Sequence, residues 1–308
     1  MSFVAGIGGA NVDTHGSSIQ PVILRDSNPG HLHLSLGGVM RNILENLSRL
    51  GTKTAIFSVV GDDSYGKMLR EGCNALGMDT THLKTLAGHR SSSYVSILDH
   101  EGDMLVAMSD MAIIKQMGAE FVLECLPLLQ QAELVVCDAN LSVEALTALA
   151  EHCSRPLMLD PVSTSWAKSM AHLAGAFHTI KPNRMELEAL TGTDCSTLEG
   201  VKEACSLLLQ KGCKRLFVSM GADGLYYQDD CGNCIHQTTR PFAQICNATG
   251  AGDATMAGIV YAGLQGLSPL KTVQFGMGAG LCALSAADTI DLEISTTKIE
   301  QMVKEYLL

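Results

Sequence analysis

The sequence predicts an α/β protein with a mostly parallel central sheet, helices on both faces of that sheet, and a small separate β-sheet. From residue 134 onwards, short apolar segments that each end in polar residues alternate with helical stretches. Helices bury both faces of a parallel sheet, so its strands appear in a sequence as continuous apolar runs. By contrast, residues 22–36 and 91–109 have extended patterns with no helix inside them, which predicts the separate sheet.

The apolar runs of the predicted central sheet end in residues that commonly bind ligands. Asn11 and Asp13 follow the first run, residues 3–9, and Asn140 follows the run at residues 134–137. Because the carboxyl ends of parallel strands face the ligand crevice, we expect these side chains to contribute to one site. A polar turn that satisfies its own backbone groups is the alternative for Asn11 and Asp13. Other runs end at Asp160, Lys181 and Ser219.

Residues 247–253, Asn-Ala-Thr-Gly-Ala-Gly-Asp, carry the clearest indication of chemistry. They follow an apolar, strand-like run at residues 242–246 and open a helix rich in small residues. Gly250 and Gly252 allow a tight turn that exposes backbone N–H groups at a helix N-terminus, where an anion is stabilised. Asp253, in the first turn, would accept a proton from a hydroxyl group while those amides neutralise a phosphoryl group. The pattern predicts a small-molecule kinase, with an ordinary strand-to-helix turn as the alternative.

The motif differs from the two common phosphate-binding loops. A P-loop requires a lysine directly after its last glycine, and none follows Gly252. A dinucleotide fingerprint requires a third glycine where this chain has Thr255, and the residues 6–9 of the first apolar run match it poorly. A dehydrogenase is therefore disfavoured.

Composition limits the partners and the compartment. The formal net charge of −11 comes without basic clusters, which disfavours nucleic acid and anionic membranes as partners. No apolar run reaches membrane-spanning length, and eleven scattered cysteines indicate reduced thiols in a cytoplasmic protein. Cys231 and Cys234 have a metal-like spacing, but Gly232 and Asn233 between them favour a hairpin turn over a zinc site.

We expect one domain, residues 1–308, with a lid formed by about residues 14–36 and 90–110. Turns at residues 27–30 and 100–103 would connect the strands of that lid. A lid over the crevice would exclude water, which competes with the acceptor hydroxyl for a phosphoryl group.

Two helix starts carry further candidate site residues. Gly37 and Gly38 precede a helix predicted over residues 43–50, and Arg41 lies where its charge opposes the helix dipole, which favours a functional role. Asn183 and Glu186 are three residues apart on one face of a later helix. Their oxygens suit Mg²⁺, while a capping box fits the same spacing, and both interpretations stay open.

Five motifs, in order along the chain, resemble those of the ribokinase-like (PfkB-type) carbohydrate kinases. They are Asn11-x-Asp13, Gly37-Gly38-x-x-x-Asn42, Lys181-Pro182-Asn183-x-x-Glu186, Ser219-x-Gly221-x-x-Gly224 and Thr249-Gly250-Ala251-Gly252-Asp253. The resemblance extends over essentially the whole chain and agrees with the predicted α/β fold.

The resemblance implies a kinase that uses ATP and Mg²⁺, and it implies a role for each motif. Asp253 would be the general base, and the turn Gly250, Ala251 and Gly252 would provide the anion hole. The implied substrate-binding residues are Asn11, Asp13, Gly37, Gly38, Arg41, Asn42, Ser93 and Asn140. The implied nucleotide-binding residues are Lys181, Asn183, Ser219, Gly221, Gly224 and Thr249, with Asn183 and Glu186 also organising the metal.

Other stretches are similar to family members that phosphorylate the ribose 5′-hydroxyl of the nucleoside pseudouridine. They are residues 26–30, 37–43, 91–94, 138–140 and 159–163. Ribose, adenosine and inosine stay open as acceptors, and a non-catalytic nucleoside sensor is the alternative from another class. The resemblance further implies a homodimer formed through the lid and a monovalent cation, K⁺, beside the anion hole. The chain departs from the family pattern next to that cation position, at residues 247–248 and 285–289.

Overall fold

The computed structural model describes residues 2–242 and 245–308, and the strands within those ranges form a nine-stranded sheet and a four-stranded sheet. The strands of the larger sheet are β1 (Val4–Ile7), β4 (Thr54–Gly61), β5 (Leu83–Leu86), β8 (Leu134–Asp138), β9 (Leu157–Asp160), β10 (Thr179–Ile180), β11 (Arg215–Ser219), β12 (Leu225–Asp229) and β13 (Cys234–Gln237). The strands of the smaller sheet are β2 (Asn11–Ser18), β3 (Gly30–Gly37), β6 (Ser93–Leu98) and β7 (Met104–Asp110).

The larger sheet is parallel over most of its width. Its spatial order is β13-β12-β11-β10-β9-β8-β1-β4-β5, and every neighbouring pair from β11 to β5 is parallel. Only the β12–β13 end is antiparallel. Polar residues after the parallel strands therefore gather along one edge, as the apolar runs predict. The turn between β12 and β13 contains Cys231, which confirms the predicted hairpin.

Helices cover both faces of this sheet. They are α1 (Val39–Arg49), α2 (Ser64–Ala75), α3 (Ala119–Leu129), α4 (Val143–His152), α5 (Thr164–Met170), α6 (Arg184–Thr191), α7 (Leu198–Gln210), α8 (Ala251–Leu264), α9 (Pro269–Leu284) and α10 (Thr296–Tyr306). Successive strand residues point to opposite faces, so Ala5 and Ile7 pack in a core with α3, α4, α6 and α7, whereas Val4 packs in a second core with α1, α2, α8 and α9. Among the described helices, none is long and apolar enough to cross a membrane.

The smaller sheet has the order β3-β2-β6-β7 and lies beyond the carboxyl end of β1. Strand β2 pairs antiparallel with β3 and parallel with β6, while β6 and β7 form an antiparallel hairpin. One alternative and one expectation for this region are wrong. Asn11 and Asp13 lie in strand β2 and not in a turn, and residues 22–29 form no strand. Strand β2 is polar and is stabilised by pairing with distant segments of the chain. The local sequence pattern gives no indication of that pairing.

Two helix starts and one predicted strand also differ from the prediction. Helix α1 begins at Val39 and α8 begins at Ala251, each a few residues earlier than its apolar pattern indicates. The strand predicted at residues 242–246 includes residues 243 and 244, which lie outside the described residues. Phe242, Ile245 and Cys246 carry no strand.

Candidate active site

The turn that begins at Gly250 lies between two cavities. A cavity of about 870 Å³, here called the large cavity, is lined by the small sheet and by residues that follow β1, β8 and β9, and it contains Thr249 and Asp253 in its wall. A second cavity of about 570 Å³, the hairpin cavity, is lined by residues of the β11–β12 region and by Ala251 and Gly252. Both volumes lie in the range of small-molecule sites. One helix start therefore faces two adjacent ligand-sized spaces.

Gly250 has a backbone conformation that only glycine adopts readily. Its φ of 82° is left-handed, and a Cβ atom there would lie 2.1 Å from the carbonyl oxygen of Thr289. The N–H groups of the first helical turn have no acceptor within a helix, so those of Ala251, Gly252 and Asp253 are available to an anion. Gly252 is exposed, and a Cβ atom there would meet only Lys181 Nζ, at 3.5 Å. The turn is built for close approach of a ligand.

The carboxyl group of Asp253 faces the large cavity and is held by helix α1. Asn42 Nδ2 donates a hydrogen bond of 2.9 Å to Asp253 Oδ2. Burial raises the pKa of Asp253 to about 8, and the Asp160 carboxylate adds to that increase. The Asn42 hydrogen bond and the Lys181 ammonium act in the opposite direction. A carboxyl group whose pKa lies near neutral pH can accept and return a proton during a reaction.

Two further carboxylates lie behind Asp253, at the ends of β8 and β9. Asp138 is fully buried and accepts N–H groups from Gly9 at 2.9 Å and Asn140 at 3.0 Å, while burial raises the pKa of Asp138 to about 6. Asp160 is 3.1 Å from Lys181 Nζ. The sequence shows both aspartates as strand ends, but it did not single them out as site residues, since their proximity depends on strand order.

Lys181 brings a buried positive charge to the anion hole. Its side chain is 5% exposed and lies beside Asp160 and Gly252. Burial acts to lower the pKa of Lys181, but the carboxylates of Asp160, Glu186 and Asp253 outweigh it, so the pKa is raised. The ammonium group is therefore charged and can interact with a phosphate group at the turn.

The predicted sugar-binding residues are brought together on strand β2 and on the start of helix α1. Asn11 donates a hydrogen bond to Asp13, and both side chains line the large cavity with Gly38, Asn42 and Asn140. Burial raises the pKa of Asp13, against the opposing effects of His15, Asn11 and Arg41. A Cβ atom at Gly37 would lie 2.1 Å from Asp13 Oδ2, which explains the glycine there.

Some predicted residues are placed away from the wall of the large cavity. Gly37, Arg41 and Ser93 do not line it. Arg41 is buried and directs its guanidinium group to Glu45 and to the carbonyl oxygen of Leu36. Ser93 begins strand β6, where it pairs with Val12.

The inner face of the small sheet contributes residues that were not singled out in the sequence. His15, His33, Tyr94 and Ser96 line the large cavity, and His15 Nδ1 is 2.6 Å from Ser96 Oγ. His33 Nε2 is 3.2 Å from Asp288 Oδ1, so this contact joins the small sheet to the segment after α9. The alternation of histidine and leucine at residues 31–34 indicates a two-faced strand, but it does not indicate which face meets a ligand.

Asn183 and Glu186 form a capping box at the start of α6. Asn183 Oδ1 accepts the Glu186 N–H at 2.9 Å, and Glu186 Oε2 accepts the Asn183 N–H at 2.9 Å. The remaining carboxylate oxygen of Glu186 is not used by this cap. Ser219, Gly221 and Gly224 all line the hairpin cavity, as expected if they belong to the same site. An isolated β-bridge joins Ser219 to Asn183.

Together the doubly covered parallel sheet, the small sheet and the glycine turn define a kinase of the ribokinase-like fold. The chain belongs to the pfkB family of carbohydrate kinases, whose model matches residues 9–296, and it is accordingly a phosphotransferase with an alcohol group as acceptor. It is 36% identical to the pseudouridine kinase of Escherichia coli (strain K12) over 303 residues, 98% of this chain and 96% of that protein.

Solved structures agree with this assignment. A putative sugar kinase from Clostridium perfringens superposes with a TM-score of 0.89 at 30% identity, over 99% of this chain and 96% of that one. A putative ribokinase II from E. coli in complex with ATP and Mg²⁺ has the same fold, with a TM-score of 0.84 at 19% identity over 99% of each chain.

Proposed function

We propose that this protein transfers the γ-phosphoryl group of MgATP to the ribose 5′-hydroxyl of pseudouridine. The observation that carries the proposal is the turn between the two cavities, with Asp253 facing the large cavity and Ala251 and Gly252 facing the hairpin cavity. A nucleoside in the large cavity and ATP in the hairpin cavity would meet at that turn. The E. coli pseudouridine kinase, 36% identical over 98% of this chain, supports the choice of nucleoside.

In this proposal Asp253 is the general base of an in-line phosphoryl transfer. The carboxylate accepts the hydroxyl proton, the hydroxyl oxygen forms a bond to the γ-phosphorus, and the bond to the β–γ bridging oxygen breaks to release ADP. The N–H groups of Ala251, Gly252 and Asp253 stabilise the negative charge on the transferring group. Lys181, 3.1 Å from Asp160 and next to Gly252, adds a positive charge on the same side.

Asp13 and Asn42 are proposed to orient the ribose, because both line the large cavity near Asp253. Gly38 allows the backbone to approach the sugar, since its φ of 101° and the nearby Gly9 carbonyl oxygen leave no space for a side chain. Asn11 and Asn140 are proposed contacts to the sugar or the base, and Ser93 is a weaker candidate because it does not line the cavity.

The nucleotide is proposed to occupy the hairpin cavity. Ser219, Gly221 and Gly224 would line it, and Thr249 would lie at the phosphates. Phe242, Met277 and Leu281 provide an apolar part of its wall, which suits an adenine ring. The same-fold ribokinase II from E. coli was solved with ATP and Mg²⁺, which supports this choice of nucleotide.

Mg²⁺ would enter with ATP and would neutralise charge on its phosphates. The residues present fit a hard cation held through water, since Glu186 is nearly buried and its capping box leaves one carboxylate oxygen free. Asn183 would orient that carboxylate from the same helix start. The family resemblance extends the proposal to K⁺ beside the anion hole, and comparing turnover in potassium chloride with turnover in tetramethylammonium chloride tests it.

The small sheet is proposed to act as a lid and as a homodimer interface, while nucleic acid and membranes are not proposed partners. The link between His33 and Asp288 supports the lid, because it joins this sheet to the opposite wall of the large cavity. A cytoplasmic location completes the proposal, supported by the eleven free cysteines.

An ADP-release assay with MgATP tests the function. Pseudouridine, uridine, ribose, adenosine and inosine are compared with wild-type protein and with Asp253→Asn as the catalytic control. We expect pseudouridine to have the highest kcat/KM, and the Asp253→Asn substitution to lower that activity by about 10²–10⁴-fold. Preference for ribose or a purine nucleoside would overturn the substrate assignment, and no turnover on any acceptor would favour a nucleoside sensor.

A further inference from the structure

Arg41 lies next to the proposed site without entering either cavity. It is in the first turn of α1 and its side chain is 5% exposed. Its guanidinium group pairs with Glu45, and Arg41 Nη1 donates to the carbonyl oxygen of Leu36 at 2.8 Å. Glu45 also binds Arg49, at 2.7 Å. The guanidinium group is thereby fixed between the end of strand β3 and helix α1.

The same guanidinium group determines how the amide of Asn42 is oriented. Arg41 Nη1 is 3.2 Å from Asn42 Oδ1, while Asn42 Nδ2 donates to Asp253 Oδ2 at 2.9 Å. An arginine only donates hydrogen bonds, so the amide oxygen must face Arg41 and the NH₂ group must face Asp253. The opposite orientation would place two donors together and an amide oxygen against a carboxylate.

We propose that Arg41 is a positioning residue, which holds the amide of Asn42 so that its NH₂ group donates to Asp253. This inference rests on the proposed role of Asp253 as the base. With Oδ2 occupied by Asn42, the other carboxylate oxygen, Oδ1, is presented to the acceptor hydroxyl. The hydrogen bond also favours the ionised carboxylate, the form that accepts a proton.

Removing Arg41 has a specific consequence for the charge balance at Asp253. Burial raises the pKa of the Asp253 carboxyl group, and Asp160 on β9 and Asp138 on β8 raise it further, while Asn42 on α1 and Lys181 after β10 lower it. Without Arg41, the Asn42 amide can rotate and present its oxygen as an acceptor to the protonated carboxyl group of Asp253. The stabilising donor is then lost, and the Asp253 carboxyl group titrates at a higher pH.

The test is the pH profile of kcat/KM for pseudouridine in wild type and in Arg41→Met. We expect a fall of about 10- to 100-fold and a shift of the acidic limb to higher pH. Loss of activity with an unmoved limb would overturn the proposal, because a merely structural role lowers activity at every pH equally. Arg41→Lys retains one charged donor and is expected to recover part of the activity and of the shift.

A double-mutant cycle separates positioning from destabilisation. In the Asn42→Ala background, the Arg41 substitution is expected to produce no further shift of the acidic limb, since the amide that it orients is absent. An equal shift in both backgrounds would contradict the proposal. If Arg41→Met does not fold, Glu45→Gln, which releases the guanidinium group from its partner, is measured in the same way.

A substrate-free measurement keeps this inference separate from the proposed function. Carbon-13 NMR of aspartate-labelled protein follows the Asp253 carboxyl titration, with Asp253→Asn identifying the signal. We expect Arg41→Met to raise its titration midpoint whether or not pseudouridine is a substrate. An unchanged midpoint would overturn the positioning role, whereas a raised midpoint in a protein that does not phosphorylate pseudouridine would overturn only the substrate assignment.

Discussion

At the scale of single residues, the site brings three acidic groups close together. Asp138, Asp160 and Asp253 lie near one another, and the Lys181 ammonium group faces Asp160 and Asp253. Burial raises the pKa of Asp138 to about 6 and that of Asp253 to about 8. Such an arrangement is unfavourable for folding and useful for catalysis, because a base with a raised pKa accepts a proton near neutral pH.

Asp253→Asn is expected to stabilise the protein while it lowers turnover. The folded-state pKa of Asp253 is about 8, well above its usual value of 3.8, so its contribution to stability is complete below pH 3.8 and is lost as the pH rises towards 8. Asparagine is neutral throughout and still accepts from Asn42. At pH 8 we expect a melting temperature about 2–4 °C or more above wild type. Thermal denaturation from pH 5 to 9 measures this, and parallel curves for the two proteins would contradict it.

Gly250 and Gly252 are expected to respond differently to a methyl group. The Gly252→Ala variant should fold normally, because the added Cβ atom would have only Lys181 Nζ in van der Waals contact. The same variant should nevertheless have a kcat/KM for ATP that is about 10²-fold lower. Gly250→Ala should lose stability of about 1–3 kcal/mol or more, because its φ is left-handed and the Thr289 carbonyl oxygen is in the way. Melting temperatures and ATP kinetics of both variants distinguish the two effects. Equal melting temperatures would contradict the assignment of Gly250 to backbone geometry.

At the scale of elements, close packing of α8 against α9 positions the turn that begins at Gly250. A Cβ atom at Gly258 would lie 2.9 Å from both Ala279 Cβ and Gly276 Cα. The two helices therefore approach along small residues, and Thr255 Oγ1 would similarly meet a Cβ atom at Gly280, at 2.5 Å. The small residues of this region therefore position the helix that starts with the Gly250 turn.

Gly258→Ala is expected to lower the free energy of unfolding by about 1–3 kcal/mol, because the methyl group has no space between the helices. Gly263→Ala in the same helix is the matched control. No atom lies within 4 Å of a Cβ atom at that position, and alanine is the better helix former. Chemical denaturation should show a loss for the first variant and no loss for the second. If Gly258→Ala were as stable as Gly263→Ala, close packing of α8 against α9 would not be required.

At the scale of the whole molecule, the small sheet has one face on the large cavity and one apolar face on the surface. The outward side chains include Leu32 at 80% exposure, Val106 at 56% and Met108 at 74%. Leu34 and Val95 lie on the same outward face, as the strand registers show. Large apolar patches of this kind commonly mark interfaces, which supports dimerisation through the small sheet.

A variant with Leu32→Lys and Met108→Lys is expected to be monomeric where the wild type is a dimer. Both positions face away from the large cavity, so the substitutions place charges in the interface and leave the cavity lining unchanged. Light scattering after size-exclusion chromatography measures the mass, with Leu123→Lys on α3 as the control for an exposed leucine elsewhere. A monomeric wild type, or a variant that stays dimeric, would contradict the proposed interface.

The local sequence pattern was sufficient to predict much of this fold. The alternation of apolar runs and helices predicted the parallel sheet, because strands that are buried on both faces consist of consecutive apolar residues. The glycine turn with Asp253 was also recognisable, since its backbone geometry demands particular residues at adjacent positions. The motif residues Asn11, Asp13, Asn42 and Asn140 were found to share one cavity.

Only the tertiary structure decided how distant residues meet. Strand β2 escaped prediction because a polar strand is stabilised by its partners β3 and β6 and not by its own composition. The contacts of Asp253 with Asn42, 211 positions earlier, and of Lys181 with Asp160 depend on strand order and helix placement. Sequence by itself determined the fold class and the glycine turn that begins at Gly250. The protonation of the site and the orientation of its carboxylates arise from long-range packing, since burial and neighbouring charges exist only in the folded chain.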